Sequence, residues 1–464
     1  MQCIIFTTMK FVDRKEEIPR LKALLEAEQP SFVIVRGRRR IGKSALIGKV
    51  LRETDIYLEA DRSDAREQMR LLSQVIAVRF PGFDDALYAD WRALLQALNY
   101  RAREKFTLCL DEFPYLVEKT PELTSVIQGL LDNNLLKYNL ILCGSSQQMM
   151  YNLTHDEQSP LYGRGDADFN MRPIRLPYLQ EALGLSAVET IENYAVWGGV
   201  PRYWLLREKA AGLREAIDEH ILSPLGILFE EPSRLFRDDI NDTVKVSSIM
   251  NIVGSGVHRL SEMASRLGEP ATNLSRPLAK LVDLGFLEKE TPFGESPRNS
   301  KHNLYRIADP FLSFHFKFVT ANRSFIQMGR RAPIDLFLER ELPGHMGYWW
   351  EHLCREAVSG NTLNGIVYGE ARRWWGKLKM DGKWEDVEID VVAESLDHKH
   401  LLLGECKWSS GENGRLLTHD LERIAGAFPF AQGKQVETAL FTRVLPDEDQ
   451  GNALLPEDVI GMLM

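Results

Sequence analysis

Continuous apolar runs of strand length alternate with segments of helical period along the first part of the chain. Ser31 to Arg36 (SFVIVR) is a β-branched run, and Ala45 to Glu53 (ALIGKVLRE) repeats its apolar positions at helical spacing. Phe106 to Leu116 (FTLCLDEFPYL) and Leu140 to Ser146 (LILCGSS) predict two more apolar strands. From about Ser247 the pattern turns to short helices, SSIMNIVGSG, RLSEMASRLG and TNLSRPLAKLVDLGFL. Two strands follow, GFLEKETPF and HNLYRIADP, around the polar turn GESPRNSKH. Three helices and a two-stranded wing are the order of a winged helix, whose third helix commonly enters a major groove. FLSFHFKFVTANRSF is an aromatic stripe at helical spacing, expected to pack domains together. Beyond it lie a helix around GYWWEHLCREAV and strands around VYGEARRWWGKL, VEIDVVAES and HLLLGECKW.

The fold class is α/β, with a parallel-sheet core and a smaller α/β domain at the end. At 464 residues the chain exceeds a single core, given about 100–200 residues per domain. The chain divides into a core at 1–200, a segment at 201–240 that a family resemblance makes a helical lid, the winged helix at 241–312, a helical linker at 313–344 and the last domain at 345–464. Hydrophobic residues at 44% and charged residues at 27% exclude a disordered or low-complexity chain. No apolar run approaches the roughly 20 residues of a membrane span, and MQCIIFTTMK lacks the features of a signal peptide, so a cytoplasmic protein without a membrane partner is expected. Five cysteines without C-x-x-C spacing indicate neither a disulfide framework nor a zinc site. A net charge of −9 excludes a surface that coats nucleic acid throughout; any such contact is local.

Between the first strand and its helix, Gly37 to Ser44 read GRRRIGKS, a complete G-x-x-x-x-G-K-[ST] phosphate loop. Glycines there let backbone N–H groups face a polyphosphate, and the helix N-terminus adds its positive end. Lys43 is placed to reach the β- and γ-phosphates and Ser44 to ligate Mg²⁺. The strand ending in Asp111 and Glu112 supplies a carboxylate to hold the metal and a second to act as general base on water. Ser145 and Ser146 sit where hydroxyls sense a γ-phosphate, or cap a helix. ATP and Mg²⁺ are the cofactors these residues imply.

The segments FVDRKEEIPRL, RGRRRIGKS, LDEFPYL, CGSS, SPLYGRGD and WGGVPRYW together resemble archaeal-type P-loop ATPases of the AAA-like, STAND-related class. The resemblance implies a P-loop NTPase core with a helical lid. It places Phe11 and Arg14 against the adenine, and Gly37, Arg38, Arg39, Arg40, Ile41, Gly42, Lys43, Ser44 and Ala45 along the nucleotide, with Ser145 nearby. It makes Arg164 a catalytic arginine near the phosphates or reaching a neighbouring site, and Arg202 a second sensor. Where the family has a second arginine after Arg164, this chain has Gly165. A homo-oligomer fits a trans-acting Arg164.

In the last domain, alternation puts Glu405 and Lys407 on one strand face with Cys406 turned away, and Asp390 meets Glu405 across the hairpin. Two carboxylates and a lysine make a hard-oxygen site for Mg²⁺, or Mn²⁺, with a cation to orient water, as phosphodiester hydrolysis requires. The D-x14-E-x-K pattern resembles the PD-(D/E)XK nucleases, in the C-terminal (DUF234-type) domain that usually accompanies this ATPase family. The resemblance carries Asp390, Glu405 and Lys407 onto the core motif and Glu351 onto a metal ligand, although no proline precedes Asp390. Glu370 and Glu388 are reserve ligands, whereas His398, His400 and His419 are expected at loops or surface because such sites use oxygen. Arg276, Lys280, Arg298 and Lys301 form a modest basic set on the winged helix, diluted by Glu262, Glu269 and Asp283.

The expectation is an ATP-binding and ATP-hydrolysing regulatory enzyme controlling a Mg²⁺-dependent nuclease-like domain, with DNA favoured over RNA. The alternative is a STAND-like signalling or DNA-binding regulator whose last domain does not cleave.

Overall fold

A computed structural model describes residues 11–239, 242–298, 300–380 and 382–464. Strands β1 (Phe32–Arg36), β2 (Ile56–Glu59), β3 (Thr107–Asp111), β4 (Asn139–Gly144) and β5 (Ala167–Asn170) form a parallel sheet in the order β2-β3-β4-β1-β5. The unbroken apolar runs of β1, β3 and β4 follow from burial on both faces. Val33, Val35, Cys109, Ile141 and Cys143 join one core, and Ile34, Leu108, Leu110, Leu140 and Leu142 the other. Burial raises both thiols well above their ordinary range, as small apolar groups rather than reactive ones.

After β5 the chain is helical from Leu176, so the helical part begins well before residue 201. Helices Thr243–Gly254, Leu260–Leu267 and Ala271–Asp283 precede an antiparallel hairpin, β6 (Leu287–Glu290) and β7 (Leu304–Ile307). Phe311, Phe314, Phe316 and Phe318 of the aromatic stripe are buried in a core shared with Tyr203, Phe229, Phe236 and Met263. One turn of the stripe, His315–Val319, is a π-helix.

The helix Arg331–Val358 runs unbroken across the 344/345 boundary expected from the sequence, with Pro343 inside it. A small hairpin, β8 (Thr362–Leu363) and β9 (Ile366–Val367), precedes the second sheet. That sheet has the order β10-β11-β12-β13-β14, with β10 (Arg372–Met380), β11 (Lys383–Glu394), β12 (His400–Lys407), β13 (Gln435–Thr442) and β14 (Ala453–Leu454). β10, β11 and β12 pair antiparallel; β12 and β13 are parallel, joined by the crossover helix Gly414–Ala427. The strand expected from Val367 to Leu378 is thus two elements, a short β9 and then β10. Trp350, Leu353 and Cys354 of the long helix pack with Leu176, Ala187 and Ile191, tying the two halves together.

Candidate functional site

The phosphate loop leaves β1 through Gly37, where a Cβ would meet Met171 O at 2.7 Å, and enters the helix Lys43–Val50 through Gly42 at φ 97°. Both conformations need glycine. Lys43 Nζ donates to the carbonyls of Gly37 (2.9 Å) and Arg38 (3.4 Å), and Ser44 Oγ donates to Asp111 Oδ2 at 2.8 Å. Tyr57, which sequence reasoning missed, gives the same oxygen a 2.6 Å hydrogen bond. Burial, and then the charge of Asp111, raise the Tyr57 phenol, so it stays a donor. Glu112 sits in the left-handed region at φ 52°, a strained conformation for a non-glycine residue, and accepts from Ser145 N (3.1 Å) and Ser145 Oγ (2.8 Å). Loop amides, a buried ammonium, a hydroxyl and two carboxylates at one sheet edge fit a polyphosphate with a hard divalent cation.

Arg38 and Arg40 do not face that space. The Arg38 guanidinium is buried, with Nη1 2.7 Å from Asp309 Oδ2 and Nη2 donating to the Tyr203 hydroxyl at 3.2 Å. Burial, the largest single effect, opposes its charge, but Asp309, Tyr203 and Glu231 together outweigh it and raise it above the ordinary arginine value. Arg40 Nη1 lies 2.5 Å from Glu231 Oε2, and Tyr203 donates to Glu231 Oε1 at 3.1 Å. The two arginines therefore tie the loop to the lid helices and to the start of the aromatic stripe. A buried charge unmatched by an acid is costly, so the nearby Asp309 and Glu231 draw the side chains away from the loop's mouth.

Phe11, Asp13, Arg14, Ile18 and Tyr178 line a cavity of about 360 Å³. Phe11 is half-buried under the Lys49 ammonium, 5.7 Å from its ring centre. Arg14 is buried and bonded to the carbonyls of Arg172 (2.5 Å) and Ile41 (3.4 Å), so its guanidinium also positions the loop. Ile41 is buried in the core behind the loop; Ser44 and Ala45 begin the helix. Arg39 is exposed. Arg202 is exposed and follows Pro201, whose Cγ lies 3.8 Å from a Cβ built on Gly42, so it stands beside the loop. Arg164 does not. It precedes β5, at the sheet edge opposite the loop, and makes two hydrogen bonds to Asp132 at 2.7 and 3.0 Å. The chain runs up β1 to the loop, whereas Arg164 comes before β5 starts alongside it, so a role at this chain's own phosphates is corrected.

On the second sheet, Glu388 and Asp390 share a face of β11, and Glu351 comes from the long helix. Carboxylate oxygens of these three lie within 4.8 Å of one another. Burial first, and then the Asp390 charge, raise Glu351 above the ordinary glutamate value, against Arg355, Arg373 and Arg306. Three converging carboxylates fit a hard divalent cation. Glu388, only a reserve in the sequence, joins this group, while Glu405 lies outside it: Glu405 Oε1 is 2.5 Å from Lys407 Nζ. Burial and Asp390 raise Glu405 despite that lysine, and the Glu405 hydrogen bond keeps Lys407 high against burial. Asp390 Oδ2 accepts from Cys406 N at 2.9 Å, which fixes β11 against β12. Glu370 pairs with Arg372 at 2.6 Å, and His398 and His400 lie by Glu394 and Glu437.

Arg355 and Arg373 carry a signal that sequence reasoning passed over. Arg355 Nη1 donates to Asp390 O at 3.0 Å and lies 3.8 Å from Glu351, and Arg373 pairs with Glu388. The β6–β7 hairpin docks beside them: Phe293 N donates to Arg373 O at 2.9 Å, and the Phe293 and Phe430 rings meet edge to face. Arg276, Arg298 and Lys301 remain exposed, and Lys280 is half-buried. No helix among the described residues is long and apolar enough to cross a membrane.

Residues 11–204 match a family described as an ATPase domain predominantly from Archaea, and residues 315–422 match DUF234, described as archaeal and bacterial proteins of unknown function. An uncharacterized protein of Methanocaldococcus jannaschii is 29% identical over 406 residues, covering 86% of this chain and 87% of its own. Among solved structures, a Walker-type ATPase of Pyrococcus abyssi superposes with a TM-score of 0.53 at 21% identity, over 66% of this chain and 96% of that one, a likeness of fold. The chain thus carries an archaeal-type P-loop ATPase domain joined to a DUF234 segment.

Proposed function

We propose that the chain hydrolyses ATP with Mg²⁺ at the phosphate loop and uses the nucleotide state to control the carboxylate site of its last domain. The observation that carries the first half is the hydrogen bond from Ser44 to Asp111, which sets a hydroxyl and a carboxylate side by side as a metal's two supports. Lys43 leaves two loop carbonyls to meet phosphate oxygens, and Glu112, released from Ser145, takes a proton from water. Bound Mg²⁺ supplies charge neutralisation on the phosphates. Arg202 is the second sensor, and Phe11 with Tyr178 flanks the base. Measuring phosphate release tests this: Lys43→Ala abolishes turnover, and Glu112→Gln keeps nucleotide binding but slows turnover on the order of 10²–10⁴-fold. Equal turnover in Lys43→Ala and wild type rejects the assignment.

For the last domain, we infer a nuclease-like site acting on nucleic acid, DNA in the first place, in which Glu351, Glu388 and Asp390 hold Mg²⁺ or Mn²⁺, and Lys407, steered by Glu405, orients water. Plasmid nicking in Mn²⁺ is expected to disappear in Asp390→Ala and in Lys407→Ala. Nicking that survives both substitutions removes the site. A second reading, a non-cleaving STAND-like or DNA-binding regulator, draws on the three helices and hairpin, read as a winged helix at 241–312 with Arg276 exposed on the third helix. It predicts tight DNA binding, weakened by Arg276→Ala, and no cleavage in any metal.

A further inference from the structure

A cavity of about 370 Å³ lies between the β6–β7 hairpin and the last domain, lined by Glu288, Glu290, His352, Arg355, Arg372 and Arg373 with their neighbours. Glu290 crosses from β6 into the arginines of the carboxylate site. Its oxygens lie 3.8 Å from Arg355 Nη2 and 3.8 Å from Arg373 Nη1, with Arg306 Nε at 3.4 Å, and its side chain is 13% exposed. Glu288, two residues earlier, accepts from the Tyr348 hydroxyl at 3.0 Å and lies 3.8 Å from His352. The same Arg355 and Arg373 contact Glu351 and Glu388, so one guanidinium separates Glu290 from each of two candidate metal ligands. A phosphodiester drawn to a metal held by those carboxylates would bring anionic oxygens toward the same arginines, because the metal and the arginines attract the same charge. The carboxylate of Glu290 fills the position with the right charge and a poor fit: 3.8 Å is well beyond the roughly 2.7–2.9 Å of a charge-assisted hydrogen bond. Arg373 Nε is buried without an acceptor, a donor that a phosphate oxygen would satisfy. The hairpin is held to the last domain by Phe293 N to Arg373 O, Phe293 on Phe430, Arg372 Nη1 to Glu295 O at 3.4 Å and the Tyr348 hydroxyl to Glu288, beside the contacts of Glu290.

We propose that Arg355 and Arg373 are the backbone-phosphate contacts of the carboxylate site, that Glu290 stands in for a nucleic-acid phosphate between them, and that the hairpin must leave before a strand enters. This rests on the nucleic-acid reading of that site.

The test is binding, without cleavage, of a fluorescein-labelled DNA duplex to the full chain in EDTA, read by anisotropy at low ionic strength. Glu290→Gln removes the competing charge; Phe293→Ser, independently, loosens the hairpin without touching a charged residue. ATP binding checks that each is folded. Each is expected to bind about tenfold tighter than wild type, and adding Arg373→Ala to Glu290→Gln abolishes the gain, whereas adding Arg103→Ala, at an exposed arginine of the first domain, leaves it. Folded variants that bind no tighter, or a gain that survives Arg373→Ala, overturn the proposal. Cleavage in Mn²⁺, run in parallel, separates it from the nuclease assignment. A binding gain with no Asp390-dependent cleavage removes the nuclease and keeps the stand-in, and Asp390-dependent cleavage with no binding gain does the reverse.

Discussion

Asn139 opens β4 fully buried, and its one side chain serves three partners. Its Oδ1 accepts from Ser31 N at 3.0 Å, and its Nδ2 donates to Leu25 O at 2.9 Å and to Thr107 Oγ1 at 3.3 Å. It therefore aligns the strand that leads to the phosphate loop with the strand that ends in Asp111. Asn139→Ala strands buried partners and is expected to cost about 2–4 kcal/mol in urea unfolding; a loss under about 0.5 kcal/mol contradicts the role. The residues whose chemistry fixes their spacing, Gly37, Gly42, Lys43, Ser44 and the Asp111–Glu112 pair, were legible in the sequence. Arg38 and Arg40 were not, because they fill variable positions of the loop and their direction is set by acids elsewhere. Asp309, the partner of Arg38, is 271 residues away. The choice of Glu388 over Glu405 has a local cause instead: Lys407, two residues along the same strand and on the same face, captures Glu405.

Elements carried by long apolar runs, such as β1, β3, β4, β11 and β12, were readable because burial on both faces or on one face writes itself into the pattern. β5 was not, since ADFN is four residues of alternating burial at a sheet edge. Nor was the continuity of the helix Arg331–Val358, where Pro343 and Gly344 have the look of a stop. The hairpin itself was legible and its docking was not. Gly294, at φ 81°, passes so close to Phe430 that a Cβ there would overlap the ring, and β6 is laid against the last domain by that approach. Phe430→Ala is expected to raise amide exchange across Leu287–Phe293 at least about tenfold while leaving β1, β3 and β4 protected, as read by mass spectrometry. Unchanged exchange means that the hairpin is held elsewhere.

Across the whole molecule, two buried histidines hold joints between parts. His315 Nε2 donates to Phe229 O at 2.8 Å, from the π-helix to the lid, and His345 Nε2 donates to Ala195 O at 2.7 Å, from the long helix to the helix Ala187–Trp197. Burial, with Arg323 and Lys317 respectively, lowers both to about 4. An unfolded histidine titrates near about 6.5, so both are neutral above that pH in either state and contribute no slope there. Between about 6.5 and 4 only the unfolded chain takes the proton, and stability falls with pH by up to about 1.4 kcal/mol per unit for each. Urea unfolding at pH 7.5, 6 and 5 checks this: a doubly substituted His315→Gln, His345→Gln chain is expected to lose most of that slope, and an undiminished slope assigns it to other groups. The anchored His345 also turns the long helix into a lever. Glu351 lies six residues beyond it, about 9 Å along the axis, so a tilt of only about 5° about that anchor carries the carboxylate about 0.8 Å. Metal coordination tolerates about 0.2 Å. Rearrangement near the lid thus needs only a few degrees of rotation to make or unmake the cation site proposed for the last domain.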